Sequence, residues 1–272
     1  AQPSCPLADD QKRLVTVCPF GFWGFRHQIE QPLQHVTATA PDTVPDEMQS
    51  AAFSQASLII RSPSDPLRVA AGFFPFPDAE AHATELGQVV GTGFEWAEDR
   101  DDIRDLLYDT EGHHLFYFYC HGVSAEAFAL EVGPEGSPHN RIEAASIEDE
   151  LIHWGSPGPQ PLVILVACDS VAMRPKIMHG LFDAFRNAKA SGVIGAQISI
   201  GTTLGREFGR GLVEALNDGR GVGESFLSLR HELLRRHNPL GLAFTSFAPA
   251  TLHIHPAEGD CSWCVEHGLV RT

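Results

Sequence analysis

Two uninterrupted apolar runs constrain this chain most. Pro161-Leu-Val-Ile-Leu-Val-Ala-Cys168 carries nothing charged, and Leu115-Phe-Tyr-Phe-Tyr-Cys120 is aliphatic or aromatic up to its closing cysteine. Each is short for a buried helix and too continuous for a strand with one wet face, so both read as strands buried on two sides. Such strands belong to parallel sheets covered by helices. The remaining chain alternates accordingly. Further strands are expected over 57–60, 67–74, 94–96, 128–132, 193–198 and 242–247. Helical spacing marks 78–90, 102–108, 146–154, 177–190, 203–216 and 223–237, the first opened by Pro77 and an acidic cap. The fold class is therefore α/β, with a mostly parallel central sheet between helical layers.

Residues 1–55 read as an N-terminal extension or linker, 56–255 as the main domain and 256–272 as a C-terminal tail. Within the extension, 14–18 has the pattern of an edge strand. The cluster Phe20, Phe22, Trp23 and Phe25 is expected to dock the extension onto the core.

In a mostly parallel sheet, ligands bind beyond the carboxyl ends of the strands. The first apolar run leads into His121-Gly122 and the second ends at Cys168, so both deliver a reactive group to that edge. A thiol is nucleophilic near neutral pH, and an imidazole can protonate the amine that leaves a cleaved peptide. The oxyanion that forms needs preorganised donors. Gly122, without a Cβ, can bring its N–H close to a substrate, and the Cys168 N–H is the natural second donor. Alternation places Cys120 on the face opposite His121, so it reads as core.

His121 and Cys168 lie 47 residues apart, near the spacing of about 50 found in caspases. Apolar strand-His121-Gly122, Leu165-Val-Ala-Cys168-Asp-Ser170 and Gly192-Val-Ile-Gly-Ala196 together resemble a CHAT domain. That family is the bacterial branch of the caspase-like peptidase clan. Phe208, Leu212, Leu216, Gly219, Gly223, Glu224 and Leu229 are similar to its terminal helices. The resemblance implies a caspase-like three-layer α/β/α sandwich and a cysteine endopeptidase that cleaves a protein partner through a Cys168–His121 dyad. It implies a regulated bacterial protease of antiviral defence or cell suicide; the dyad chemistry needs no cofactor, and the cysteines point to a reducing cytoplasm that keeps the thiol available. The resemblance also implies a sensor domain or regulatory chain outside this sequence. The substrate groove would draw on Asp169, Gln197 and Ser199. Asp169 has two readings, a partner for a basic P1 side chain or a cap on the following turn. Family members often carry Trp soon after the Gly-Val-Ile-Gly strand, where this chain has Ile198-Ser-Ile200.

The net charge of −16 repels phosphates, so a nucleic-acid partner is not expected, and it favours basic peptides. No apolar run has the length of a membrane span, and the N-terminal residues do not have the make-up of a signal peptide. Six cysteines in a chain of this length are not a disulfide framework. His253, His255, Cys261, Cys264 and His267 are metal-type ligands, but a second Cys pair at zinc spacing is missing, and no metal is expected. The chain has no phosphate loop and no Gly-x-Ser-x-Gly elbow. The rival reading is an inactive caspase-like scaffold that binds a partner protein, against which the intact His–Cys pair argues.

Overall fold

The computed structural model describes residues 22–29, 58–59, 66–109, 112–124, 128–134, 140–147, 154, 159–168, 181 and 183–254. In chain order the elements are α1 (Trp23–Arg26), β1 (Leu58–Ile59), β2 (Val69–Phe73), α2 (Ala79–Val90), β3 (Phe94–Ala97), α3 (Arg100–Leu107), β4 (Leu115–Ser124), β5 (Phe128–Glu131), β6 (Arg141–Glu143), α4 (Ala144–Ile147), β7 (Leu162–Cys168), β8 (Gly192–Ala196), α5 (Thr202–Asn217), α6 (Val222–Arg235), β9 (Phe244–Phe247) and β10 (His253–Ile254). Residues 183–187 are also helical.

The main sheet runs β3-β2-β4-β7-β8-β9, parallel from β3 to β8 and closed by antiparallel β9. Alternation along its strands separates two cores. Val69, Tyr117, Tyr119, Ile164, Val166 and Ile194 meet the buried faces of α2, α5 and α6. Phe116, Phe118, Cys120, Val163 and Leu165 meet Ile103 of α3, Trp154 and Phe185 on the other side. The protein is thus the expected α/β/α sandwich, and its central strands are buried on both faces because helices cover both. Cys120 is fully buried in the second core.

Local chemistry sets the helix ends. The Asp99 carboxylate accepts the Asp102 N–H at 3.0 Å and caps α3. Gly91, at φ +78°, ends α2 in a conformation that β-carbon-bearing residues avoid. Asp78 stands at the N-cap of α2 but makes no capping bond. Its carboxylate is instead taken by the Tyr119 hydroxyl, 3.1 Å from either oxygen.

Several elements depart from the sequence reading at their ends; α3 starts at Arg100 rather than 102, and β9 at Phe244 rather than 242, where Pro239–Ala243 forms a 3-10 turn. β4 does not stop before His121 but runs on to Ser124, and its last four residues pair antiparallel with β5. The ladder from β5 and burial of Leu130 hold Gly122 extended. β8 ends at Ala196, where Gln197 N–H donates to the Ala243 carbonyl at 2.8 Å. The helix expected over 146–154 begins two residues earlier, at Ala144. The expected strand over 14–18 lies outside the described residues.

Among the aromatic residues near the N-terminus, Phe25 is buried while Phe22 and Trp23 are exposed. Buried Arg230 anchors that turn, donating to the carbonyls of Gly24, Gly241 and Phe244 at 3.3, 3.2 and 2.7 Å. Burial lowers the Arg230 pKa, but a guanidinium bonded to three carbonyls stays charged.

α5 approaches β4 closely at Gly209, where an added Cβ would lie 2.0 Å from the Tyr117 hydroxyl oxygen. Gly209→Ala must push the helix or the ring away. We expect a loss of about 1–3 kcal/mol, read as a lower urea midpoint at unchanged m-value.

Candidate active site

β4 and β7 are Cα partners from Leu115 with Leu162 through to His121 with Cys168. The last pair is where the parallel ladder between these strands ends. Counting by twos, position 121 shares a sheet face with Leu115, Tyr117 and Tyr119, and position 168 shares it with Leu162, Ile164 and Val166. The backbone therefore sets the histidine and the cysteine side by side, on one face, at the carboxyl edge of two central strands. Parallel strands run about 4.8 Å apart, so the two backbone positions are direct neighbours across the ladder.

His121 is half-buried, and aromatic rings flank its imidazole. Phe74 lies 4.3 Å away centroid to centroid and Phe76 4.6 Å away, both edge-on, at 66° and 74°. Phe76 also packs on Tyr119 at 5.1 Å. On the β5 side of His121, its Cα partner is Glu131, a buried carboxylate whose Oε1 lies 3.4 Å from Arg141 Nε.

Beneath His121 the same face of β4 carries a buried polar column. The Tyr119 hydroxyl contacts Asp78 and the Thr202 carbonyl, the latter at 3.2 Å, so it ties the start of α2 to the start of α5. The Tyr117 hydroxyl lies 2.8 Å from His82 Nε2. Arg206 of α5 clamps both carboxylate oxygens of Glu85 and comes within 3.9 Å of Asp78. Its guanidinium holds the Glu85 carboxyl below the usual range. His82 is fully buried, and its Nδ1 has no hydrogen-bond partner among the described residues. Burial, helped by Arg206, pushes its pKa down to about 4.

The other expected site residues fall as follows. Gly122 is a buried strand residue opposite Leu130. Gln197 and Ser199 are exposed with Ile198, on the segment that joins β8 to α5. Asp169 lies outside the described residues, as do His255, Cys261, Cys264 and His267. Buried His253 has its Nδ1 3.1 Å from the Thr251 carbonyl. No group of ligands that could hold a metal occurs among the described residues. Nor is any helix among them long and apolar enough to cross a membrane.

The sequence reading missed Phe74, Phe76 and Tyr119 as parts of this site. Tyr119 was available by counting back two from His121. The two phenylalanines stand in Phe74-Pro-Phe-Pro77, a pattern that shows rigidity but not its target.

The CHAT domain family model matches residues 26–255. The chain belongs to the CHAT domain family. A probable protease of Vitiosangium sp. (strain GDMCC 1.1324) is 31% identical over 264 residues, covering 93% of this chain. The match spans only 32% of that relative, about a third of its length. Two crystal structures of the Saccharomyces cerevisiae separase–securin complex are similar, each at 14% identity. Their TM-scores are 0.49 and 0.44, over 76% and 72% of this chain and 13% and 12% of theirs.

The depressed pKa of His82 makes a stability prediction. Between pH 4 and 6.5 the unfolded chain holds a proton on this group that the folded chain does not, so stability falls as pH drops through that window. The linkage amounts to on the order of 2–3 kcal/mol. In His82→Gln, which keeps a polar group near Tyr117 but cannot titrate, urea midpoints between pH 7 and pH 4.5 should decline less steeply than in the parent.

Proposed function

We propose that this CHAT domain is a cysteine endopeptidase in which Cys168 is the nucleophile and His121 the general acid and base. The observation that carries the reading is the pairing of positions 121 and 168 as the last partners of the β4–β7 parallel ladder. Family membership and the probable protease of Vitiosangium support it.

In this mechanism Cys168 transfers its proton to His121, and the thiolate attacks the scissile carbonyl. The electron pair of the carbonyl moves onto oxygen, where the N–H groups of Gly122 and Cys168 stabilise it. Collapse of the tetrahedral species breaks the C–N bond, and the imidazolium gives its proton to the departing amine. Water, deprotonated by His121, then attacks the thioester, and its collapse returns the thiolate. No metal or organic cofactor takes part in any of these steps.

The groove for the polypeptide would run past the carboxyl edge of β7 and β8, with Asp169, Gln197 and Ser199 along it. A protein or peptide is the substrate, and the acidic chain favours a basic one. The reading also includes a sensor domain or regulatory chain that controls cleavage, a role in bacterial antiviral defence or cell suicide, and a reducing cytoplasm that keeps the thiol available. Neither nucleic acid nor membrane is a direct partner in it.

Digesting a peptide library with the parent, Cys168→Ala and His121→Ala tests the dyad. Both variants should lose cleavage by at least about a thousandfold while their far-ultraviolet circular dichroism matches the parent. Cleavage that persists in Cys168→Ala ends the assignment.

A further inference from the structure

We propose that Phe74 and Phe76 are positioning residues for the general acid and base, a rigid aromatic bracket that fixes the His121 imidazole toward position 168. The inference rests on the dyad reading above and adds to it the part that orients the histidine.

Both rings meet the imidazole edge-on at 4.3 and 4.6 Å, and they meet each other at 4.9 Å. Three rings in mutual contact leave the histidine little freedom about its side-chain torsions. The bracket itself has little freedom either. Phe74 and Phe76 each precede a proline, Pro75 and Pro77. Proline fixes its own φ and restricts the residue before it to extended backbone. Phe76 N–H donates to the Phe74 carbonyl at 2.7 Å, and the Phe76 carbonyl accepts from Ala79 at 3.0 Å, which joins the segment to the first turn of α2. At its other end, Phe74 N–H donates to the Tyr119 carbonyl at 2.8 Å, which fastens the segment to β4 two residues before His121.

The support continues downward. Phe76 rests on Tyr119, whose hydroxyl is held by Asp78 and the Thr202 carbonyl. Phe74 is nearly fully buried, so its ring is held by the core as well as by its backbone. A solvated imidazole samples several rotamers, only some of which face a neighbouring strand. Holding it in one of them lowers the cost of reaching the proton-transfer geometry.

The test uses the full chain with Phe76→Leu, Phe74→Leu and Phe76→Tyr. Leucine keeps apolar volume but removes the ring, and tyrosine keeps the ring. Two readouts are taken: kcat and KM on a peptide cut by the parent, and the His121 ring resonance in histidine-labelled protein, assigned by its loss in His121→Ala. For Phe76→Leu we expect kcat to fall about tenfold or more with KM within about twofold and the urea midpoint little changed. The His121 resonance should move as the ring field disappears. Phe76→Tyr should restore kcat and the resonance. Phe74→Leu should act in the same direction. An unchanged kcat in both leucine variants, with the parent active, overturns the bracket and leaves the dyad standing. Where the parent awaits its regulator and cleaves nothing, an unmoved His121 resonance in both leucine variants overturns the bracket.

Discussion

The ladder between β4 and β7 is the contact on which the rest of this molecule depends. It lies at the centre of the sheet, flanked by β2 and β8, and aligns the two strands from Leu115 with Leu162 to His121 with Cys168. A slip of one residue would turn every side chain of β7 to the wrong face. The two cores make that slip costly. One receives Ile164 and Val166 beside Tyr117 and Tyr119, and the other receives Val163 and Leu165 beside Phe116 and Phe118. Hydrophobic burial on both faces thus fixes a register, and the register fixes which two residues stand side by side at the edge. The chemistry proposed here follows from packing that has no chemistry of its own.

The face that carries the candidate dyad is not purely apolar. Tyr117 and Tyr119 bring hydroxyls into the core under α2 and α5, and each finds a partner there. A buried hydroxyl without a partner would cost about 1–3 kcal/mol, so Asp78, His82 and Gly209 are constrained together with the tyrosines. Arg206 then ties Glu85 on α2 to α5 from outside. These bonds lock the helix that follows β2 against the helix that follows β8. Of the segments entering those helices, 74–77 carries the two rings that pack on His121, and 197–201 continues β8 beyond its pairing with β7.

Much of this was legible in the sequence because it is local. Unbroken apolar runs of strand length announced β4 and β7, and periodic spacing announced α2, α5 and α6. The placement of Cys120 on the opposite face from His121 followed from alternation alone. What the sequence did not show is what depends on pairing between distant segments. β4 runs past His121 because β5 supplies a ladder, and nothing within His121-Gly-Val-Ser124 signals that. The aromatic bracket joins residues 74 and 76 to 121, and the buried row under it joins α2 to α5. His82 stood on the apolar stripe of α2, where a histidine reads as an interruption until Tyr117 is seen opposite it.

The central claim is that a thiol and an imidazole act as one unit across the last step of the β4–β7 ladder. The rate at which iodoacetamide alkylates Cys168, followed by mass spectrometry across pH in the parent and in His121→Ala, tests it most directly, because it needs neither substrate nor activator. The account predicts that the parent reacts with an apparent pKa well below the ordinary cysteine value of about 8.5, and that His121→Ala moves the curve up toward that value. Superposable curves from the two proteins would contradict it.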